Sequence, residues 1–197
     1  MAADSAYLAS VLDQIDGPVL LAGHSYGGAV ITDAAARSRN VVGLVYVAAF
    51  APDADERLGD VTPTSKDAIL STALLQRTYP VGTTDETAAE SVVDPARFPE
   101  IFAADLPADQ VAVLAAAQRP VAAAAFTDPC GPPAWKSLPA WSVVATGDKA
   151  AGADLVRSMA QRAGAEIVEI DGSHLIMVSQ PRAVTDVIVT AARASGR

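Results

Sequence analysis

Cysteine occurs once in the 197 residues, at Cys130, so the chain can form neither an intramolecular disulfide nor a zinc site built on several thiolates. Histidine occurs twice, at His24 and His174, too few and too far apart to suggest a metal site. Basic residues are scarce: 14 Lys and Arg stand against 23 Asp and Glu, a formal charge of −9. They form no cluster, which argues against nucleic acid as a partner, because phosphate backbones are held by grouped cations. The same negative field mildly repels acidic substrates. No stretch approaches the roughly 18 uninterrupted apolar residues of a membrane span. Met1-Ala2-Ala3-Asp4-Ser5-Ala6 also lacks the basic start and apolar run of an export signal, so the default expectation is a cytoplasmic protein with no membrane partner. Neither a Gly-x-Gly-x-x-Gly loop nor a Walker loop is present, so no cofactor and no metal are expected.

The chain is rich in apolar side chains, 51% of residues, with a mean hydropathy of +0.26. That suits a parallel sheet buried on both faces, whose strands read as continuous hydrophobic runs. At this length one domain over residues 1–197 is expected. Tyr7, Leu8, Val11, Leu12 and Ile15 recur at helical spacing, ending at Gly17-Pro18. Val19 to Ala22 reads as a short buried strand. Residues 27–36 read as a small-residue helix closed by Asn40, and residues 41–50 as a second buried strand. From residue 51 to 136 Pro and Asp become frequent and no long period survives, the texture of an inserted cap. Two helices are predicted within it, around 65–77 and 107–118. Beyond it come a strand over 141–146, a helix over 153–163, a strand over 165–170 and a C-terminal helix over 182–194. The core is thus residues 1–50 and 137–197. Alternating strands and helices imply an α/β fold, a mostly parallel sheet with helices on both faces and a helical cap.

Residues 18–28, PVLLAGHSYGG, place Gly23-x-Ser25-x-Gly27 between the first strand and the small-residue helix. The pentapeptide alone is a weak signal. In a strand-to-helix turn it gains weight, because a serine hydroxyl becomes a useful nucleophile only when held exposed beside a base. His24 is adjacent to Ser25 and should point away from its hydroxyl, which suits a packing role. His174, in the loop Asp171-Gly172-Ser173-His174 after the last strand, lies on the same C-terminal sheet edge as the elbow and is the candidate base. Asp148, in Thr146-Gly147-Asp148 after the strand 141–146, is the first candidate for the acid that orients it, with Asp53 the runner-up and Asp171 too close along one loop. Cys130, in a Pro-rich turn with no histidine nearby, is a poor nucleophile candidate.

These residues resemble those of the α/β-hydrolase fold family, in its esterase and hydroxynitrile-lyase branch. The likeness runs through Gly23-His24-Ser25-Tyr26-Gly27-Gly28, Val47 to Pro52, Phe102-Ala103-Ala104-Asp105, Thr146-Gly147-Asp148 and Ser173-His174. It implies a nucleophile at Ser25, an acid at Asp148, a base at His174 and an oxyanion hole using the Tyr26 backbone N–H. The implied activity is carboxylesterase-like: hydrolysis of a small neutral ester through an acyl-enzyme. Two alternatives remain, a lyase and a non-catalytic fragment. The related lyases carry Lys directly after the catalytic histidine, where this chain has Leu175. The sequence leaves the oligomeric state open, a homo-oligomer included.

The family's first strands, and the loop that supplies its second oxyanion donor, have no counterpart here, so the fold is expected to be N-terminally truncated. A start codon placed at an internal Met is preferred to a true gene truncation. Val19 to Ala22 then becomes an edge strand, a recognised aggregation hazard. Losing one oxyanion donor typically costs about a hundredfold or more in turnover. The 197-residue chain is therefore expected to be poorly soluble or weakly active, with both properties restored by upstream extension; efficient ester hydrolysis by the chain as it stands would refute this.

Overall fold

The computed structural model describes residues 1–83 and 85–196. The first apolar run is strand β1 (Val19–Ser25), preceded by helix α1 (Ala2–Leu12) and followed without a break by α2 (Tyr26–Ala36) and β2 (Val41–Ala49). Asn40 does not close α2. Its Nδ2 instead donates to the Leu12 and Ile15 carbonyls at 2.9 and 3.0 Å, at the end of α1 and in the turn that follows it.

The insertion holds α3 (Leu58–Val61), β3 (Leu74–Pro80), β4 (Thr87–Val93), α4 (Phe98–Phe102), α5 (Ala108–Ala117), β5 (Val121–Ala122) and α6 (Ala124–Thr127). The helix expected over 107–118 is α5. The one expected around 65–77 is not formed: a short 3₁₀ turn, Leu70–Ala73, runs into β3, which pairs antiparallel with β4 from Leu74↔Val93 to Pro80↔Thr87. The Leu70 and Leu74 spacing imitates a helix, but Thr78 and Tyr79 favour a strand, Pro80 disfavours helix in the residue before it, and the partner strand decides the outcome. The cap is therefore mixed, with a three-stranded sheet ordered β3-β4-β5 beside its helices.

After the cap come β6 (Ala140–Ala145), α7 (Ala153–Arg162), β7 (Glu166–Ile170), α8 (Ile176–Ser179) and α9 (Pro181–Ser195). The main sheet is ordered β1-β2-β6-β7, every pair parallel. Side chains alternate across it. Leu44, Tyr46 and Val144 face α1, α2 and α7 with Leu12, Ile31 and Met159, while Val45, Val47 and Val143 face α8 and α9 with Ile176, Val184 and Val187. Burying one such Leu or Val contributes about 1.5–3 kcal/mol, so the inner strands β2 and β6 carry most of the sheet's stability. The outer strands are less covered: Ala22 on β1 and both glutamates of β7 are exposed. Among the described residues β1 pairs with β2 alone, which makes it an edge strand.

The turn from β1 into α2 is set by contact. A Cβ on Gly23 would lie 2.6 Å from the Gly27 carbonyl oxygen, and one on Gly28 would run into the Phe50 carbonyl oxygen and lie 2.8 Å from Ala49 Cβ. A Cβ on Gly27 would meet nothing within 4 Å. The glycines the elbow needs are thus Gly23 and Gly28, while Gly27, though part of the pentapeptide, is sterically free. Gly28→Ala is expected to lower stability by about 1–3 kcal/mol through overpacking against backbone. Gly27→Ala is expected to be neutral or to gain up to about 1 kcal/mol in the helix. Urea unfolding of both variants checks the contrast, and equal losses would contradict it.

Candidate active site

Ser25 sits at the junction of β1 and α2 with φ 53° and ψ −124°, a conformation that costs a non-glycine residue about 1–3 kcal/mol. The neighbouring strand accommodates it. The β1–β2 register slips between His24↔Val47 and Ser25↔Ala49, leaving Ala48 as a bulged residue at φ 43°, and the Phe50 N–H donates to the Ser25 carbonyl at 3.2 Å. Tyr26 begins α2, where the first backbone N–H groups have no acceptor within the helix. Its N–H is therefore free to meet an anion, while its hydroxyl is engaged elsewhere, donating to Asp4 Oδ2 at 2.6 Å.

Asp148 and His174 come together. Asp148 follows β6 and His174 follows β7, both beyond the C-terminal ends of parallel strands, and Ser25 is the last residue of β1 on the same edge. His174 Nδ1 lies 2.9 Å from Asp148 Oδ2, with Asp148 1% and His174 0% exposed. The other carboxylate oxygen, Oδ1, accepts the N–H groups of Ala150 and Ala151 at 2.8 and 3.0 Å. Burial alone would push the Asp148 carboxyl up, but His174 and the two backbone donors outweigh it and hold the group below the usual carboxylate range. An ionised Asp148 accepts a hydrogen bond from Nδ1–H, which leaves the lone pair of the neutral imidazole on Nε2. Among the described residues Nε2 makes no hydrogen bond, the Ser25 hydroxyl included. A buried acceptor without a partner is costly unless it has work to do.

Asp53 is elsewhere: its Oδ1 takes Lys136 Nζ at 2.6 Å and the Ala54 N–H at 2.7 Å on the surface. Asp171 is exposed and bonded to the Thr146 hydroxyl. Cys130 is buried, and burial first, then Glu56 and Asp33, push its thiol up to about 11, which keeps it protonated and unreactive.

His24 packs as expected but closer to the site than expected. Its ring centroid is 4.5 Å from that of His174, and its Nε2–H donates to the His174 carbonyl oxygen at 3.0 Å. Phe102 of the cap closes the other side, edge-on to the imidazole at 4.9 Å. His24, Ser25, Tyr26, Gly27 and Phe102 line a cavity of about 370 Å³, completed by the cap through Leu70, Leu74, Val92, Val93, Phe98 and Phe126. His174 lies one layer beneath that wall. A second cavity of about 440 Å³ shares Leu70, Leu74, Ser91 and Phe126 with the first but reaches neither Ser25 nor His24. The cap contributors escape detection in the sequence because no period or motif marks them; Phe102 stands out there only through the family resemblance.

A family model described as the Alpha/beta hydrolase family matches residues 2–187, and the chain belongs to that family. Among solved structures it is similar to polyneuridine aldehyde esterase, at 18% identity and a TM-score of 0.76, covering 95% of this chain and 78% of the other. It is also similar to tomato methylketone synthase I in complex with 2-tridecanone, at 19% identity and a TM-score of 0.73, covering 95% and 76%. A third is a pyrethroid hydrolase from Sphingobium faniae JZ-2, at 20% identity and a TM-score of 0.70, covering 98% and 77%. At these identities the likeness is one of fold. No curated protein matches the chain. Among the described residues no helix is long and apolar enough to cross a membrane, and no group of three metal-binding side chains occurs.

The environment of His24 carries a pH dependence. Burial, and then His174, lower its imidazole to about 3 from an ordinary 6.5. Between those values the unfolded chain takes up a proton that the folded chain refuses, so the stability His24 contributes is complete above pH 6.5 and is lost as pH falls towards 3. The loss is at most about 1.4 kcal/mol per pH unit. Denaturant unfolding between pH 6.5 and 4 is expected to give a shallower slope for His24→Asn than for the parent chain; parallel slopes would contradict this origin.

Proposed function

We propose that the chain is a serine hydrolase that cleaves a small, neutral, largely apolar ester through an acyl-enzyme. The observation that carries the reading is the buried 2.9 Å contact between Asp148 Oδ2 and His174 Nδ1, on the sheet edge that also holds the strained Ser25. Ser25 Oγ attacks the ester carbonyl carbon while its proton passes to His174 Nε2. Asp148 keeps the imidazole in the tautomer whose Nε2 is free and stabilises the imidazolium that forms. The tetrahedral oxyanion is met by the Tyr26 N–H. Collapse breaks the bond to the alcohol oxygen, which leaves with the proton from Nε2. Water then enters, gives a proton to Nε2 and attacks the acyl carbon, and a second collapse releases the acid and restores the Ser25 hydroxyl. In ligand-free sites the bond between nucleophile and base is often long and tightens when substrate binds.

The cavity beside Ser25 supports the substrate class. Its walls are mainly Leu, Val and Phe, which favour an apolar acyl or alcohol group, and about 370 Å³ is at the small end for ligand sites. The three structural relatives named above include two with ester- or pyrethroid-cleaving names, in keeping with this chemistry. The lyase alternative finds no support at Leu175, an apolar side chain packed against the cap cluster where the related lyases carry a cation.

A fluorophosphonate probe is expected to label Ser25 and nothing else, with labelling abolished in Ser25→Ala. Asp148→Asn is expected to slow labelling by about 10⁴-fold, since the wrong tautomer is then favoured. Covalent labelling detects the nucleophile even where turnover is slow. Mass spectrometry of the labelled peptide decides: an unlabelled Ser25, or undiminished labelling in Asp148→Asn, would reject the triad. Short-chain aryl esters offered in parallel with cyanohydrins separate the hydrolase from the lyase.

A further inference from the structure

The loop that carries His174 is held from the cap as well as from the sheet. Ser173 is 2% exposed, and its hydroxyl reaches the Phe102 carbonyl oxygen at 2.8 Å and Asp105 Oδ1. On the other side of the base, the Leu175 N–H donates to the same Phe102 carbonyl at 2.9 Å. One cap carbonyl therefore faces a donor group on each of the residues that flank His174. The Phe102 ring meets the imidazole itself. Asp105 completes the grip at Gly172, where an added Cβ would lie 2.7 Å from Asp105 Oδ2. Burial tends to raise the Asp105 carboxyl, yet the Ser173 hydroxyl, then the Ser179 hydroxyl and the backbone N–H groups of Ser173 and Asp105, outweigh it and hold the carboxyl below its usual range, so it is an ionised acceptor at neutral pH.

We infer that Ser173 and Asp105 form a positioning pair through which the cap segment Phe102–Asp105 seats the base, keeping the His174 imidazole on Asp148 and Nε2 towards Ser25. The inference rests on the triad reading. Neither residue touches the reacting atoms, and both act through the geometry of the loop. The Ser173 hydroxyl has one proton and faces two acceptors, so a charged acceptor at Asp105 fixes its direction more firmly than the Phe102 carbonyl alone. Releasing the loop lets the imidazole swing off Asp148. A misplacement of about 1 Å in a catalytic group costs on the order of 100-fold.

Ser173→Ala and Asp105→Ala are each expected to slow fluorophosphonate labelling of Ser25 by about 10- to 100-fold, with KM for an apolar aryl ester changed less than about twofold. Asp105→Asn keeps an acceptor oxygen for the Ser173 hydroxyl and is expected to recover most of the rate. The double variant is expected to be no slower than the worse single one, because the two side chains act as one unit. With only two histidines in the chain, nitrogen-15 NMR reads the His174 tautomer directly: protonated at Nδ1 in the parent, mixed in the two alanine variants. Additive losses, a KM effect in place of a rate effect, or an unchanged tautomer would overturn the inference. A parent chain whose Ser25 is not labelled would instead remove the hydrolase reading, and the tautomer measurement distinguishes that failure from this one.

Discussion

The approach of backbone to backbone at the end of β1 is the constraint on which the site depends. Gly23 lies against the Gly27 carbonyl, and Gly28 lies against Phe50 at the end of β2, so the strand, the helix and the neighbouring strand meet with no side chain between them. Such contact leaves Ser25 no ordinary conformation, and it takes φ 53°. The strain is held because β2 yields with it. Ala48 bulges at φ 43°, and pairing resumes at Ala49. Two residues in rare conformations, each costing about 1–3 kcal/mol, persist only where packing around them is strong enough to over-determine the turn. Here that packing is α2 on the sheet, with Ala29, Ile31 and Ala35 in the same cluster as Leu44 and Tyr46.

A second requirement is that the buried charge be satisfied. A carboxylate at 1% exposure is expensive unless hydrogen bonds replace its water. Asp148 obtains three donors: the imidazole and two successive backbone N–H groups of its own turn. His24 packs beside His174, donating to its carbonyl while remaining neutral because of its own burial and the ring beside it. A second cation next to His174 would oppose formation of the imidazolium. An uncharged His24 supplies a donor without that penalty.

The alternation of apolar runs and helices was legible because parallel strands bury both faces and so read as unbroken hydrophobic stretches. β2 and β6 fall within a residue or so of their expected ends. Asp148 and His174 were legible from topology, since residues just past parallel strands share one sheet edge. The stretch 65–77 was not. Its Leu spacing fits a helix, and the pairing with Thr87–Val93 that makes it a strand is non-local. Nor was the division of labour among the glycines, because a pentapeptide records spacing and not which Cβ would collide. Asn40 misled for the same reason: its place beyond α2 suggests a cap, whereas its partners are at the end of α1.

The insertion bears on His174 more than its place in the chain suggests. Residues 44 and 140 are paired across β2 and β6 with the whole cap between them. Loop closure grows only logarithmically with length, so the insertion adds little cost to that pairing. Ordering its own residues is the larger cost, and burial within the cap must offset it. It does so through a cluster of its own, Ala73, Val93, Phe98, Ile101, Ala103, Val111 and Ala115. That cluster also takes in Ala150, two residues beyond Asp148, and partly buried Leu175, the residue after His174. The turn of Asp148 and the loop of His174 are thus anchored in the hydrophobic core of the cap as well as in that of the sheet, which takes in Ala151 and Ile176. The relative placement of Asp148, His174 and Ser25 consequently depends on how the cap seats on the sheet edge, because the segments that carry the first two are packed against both cores.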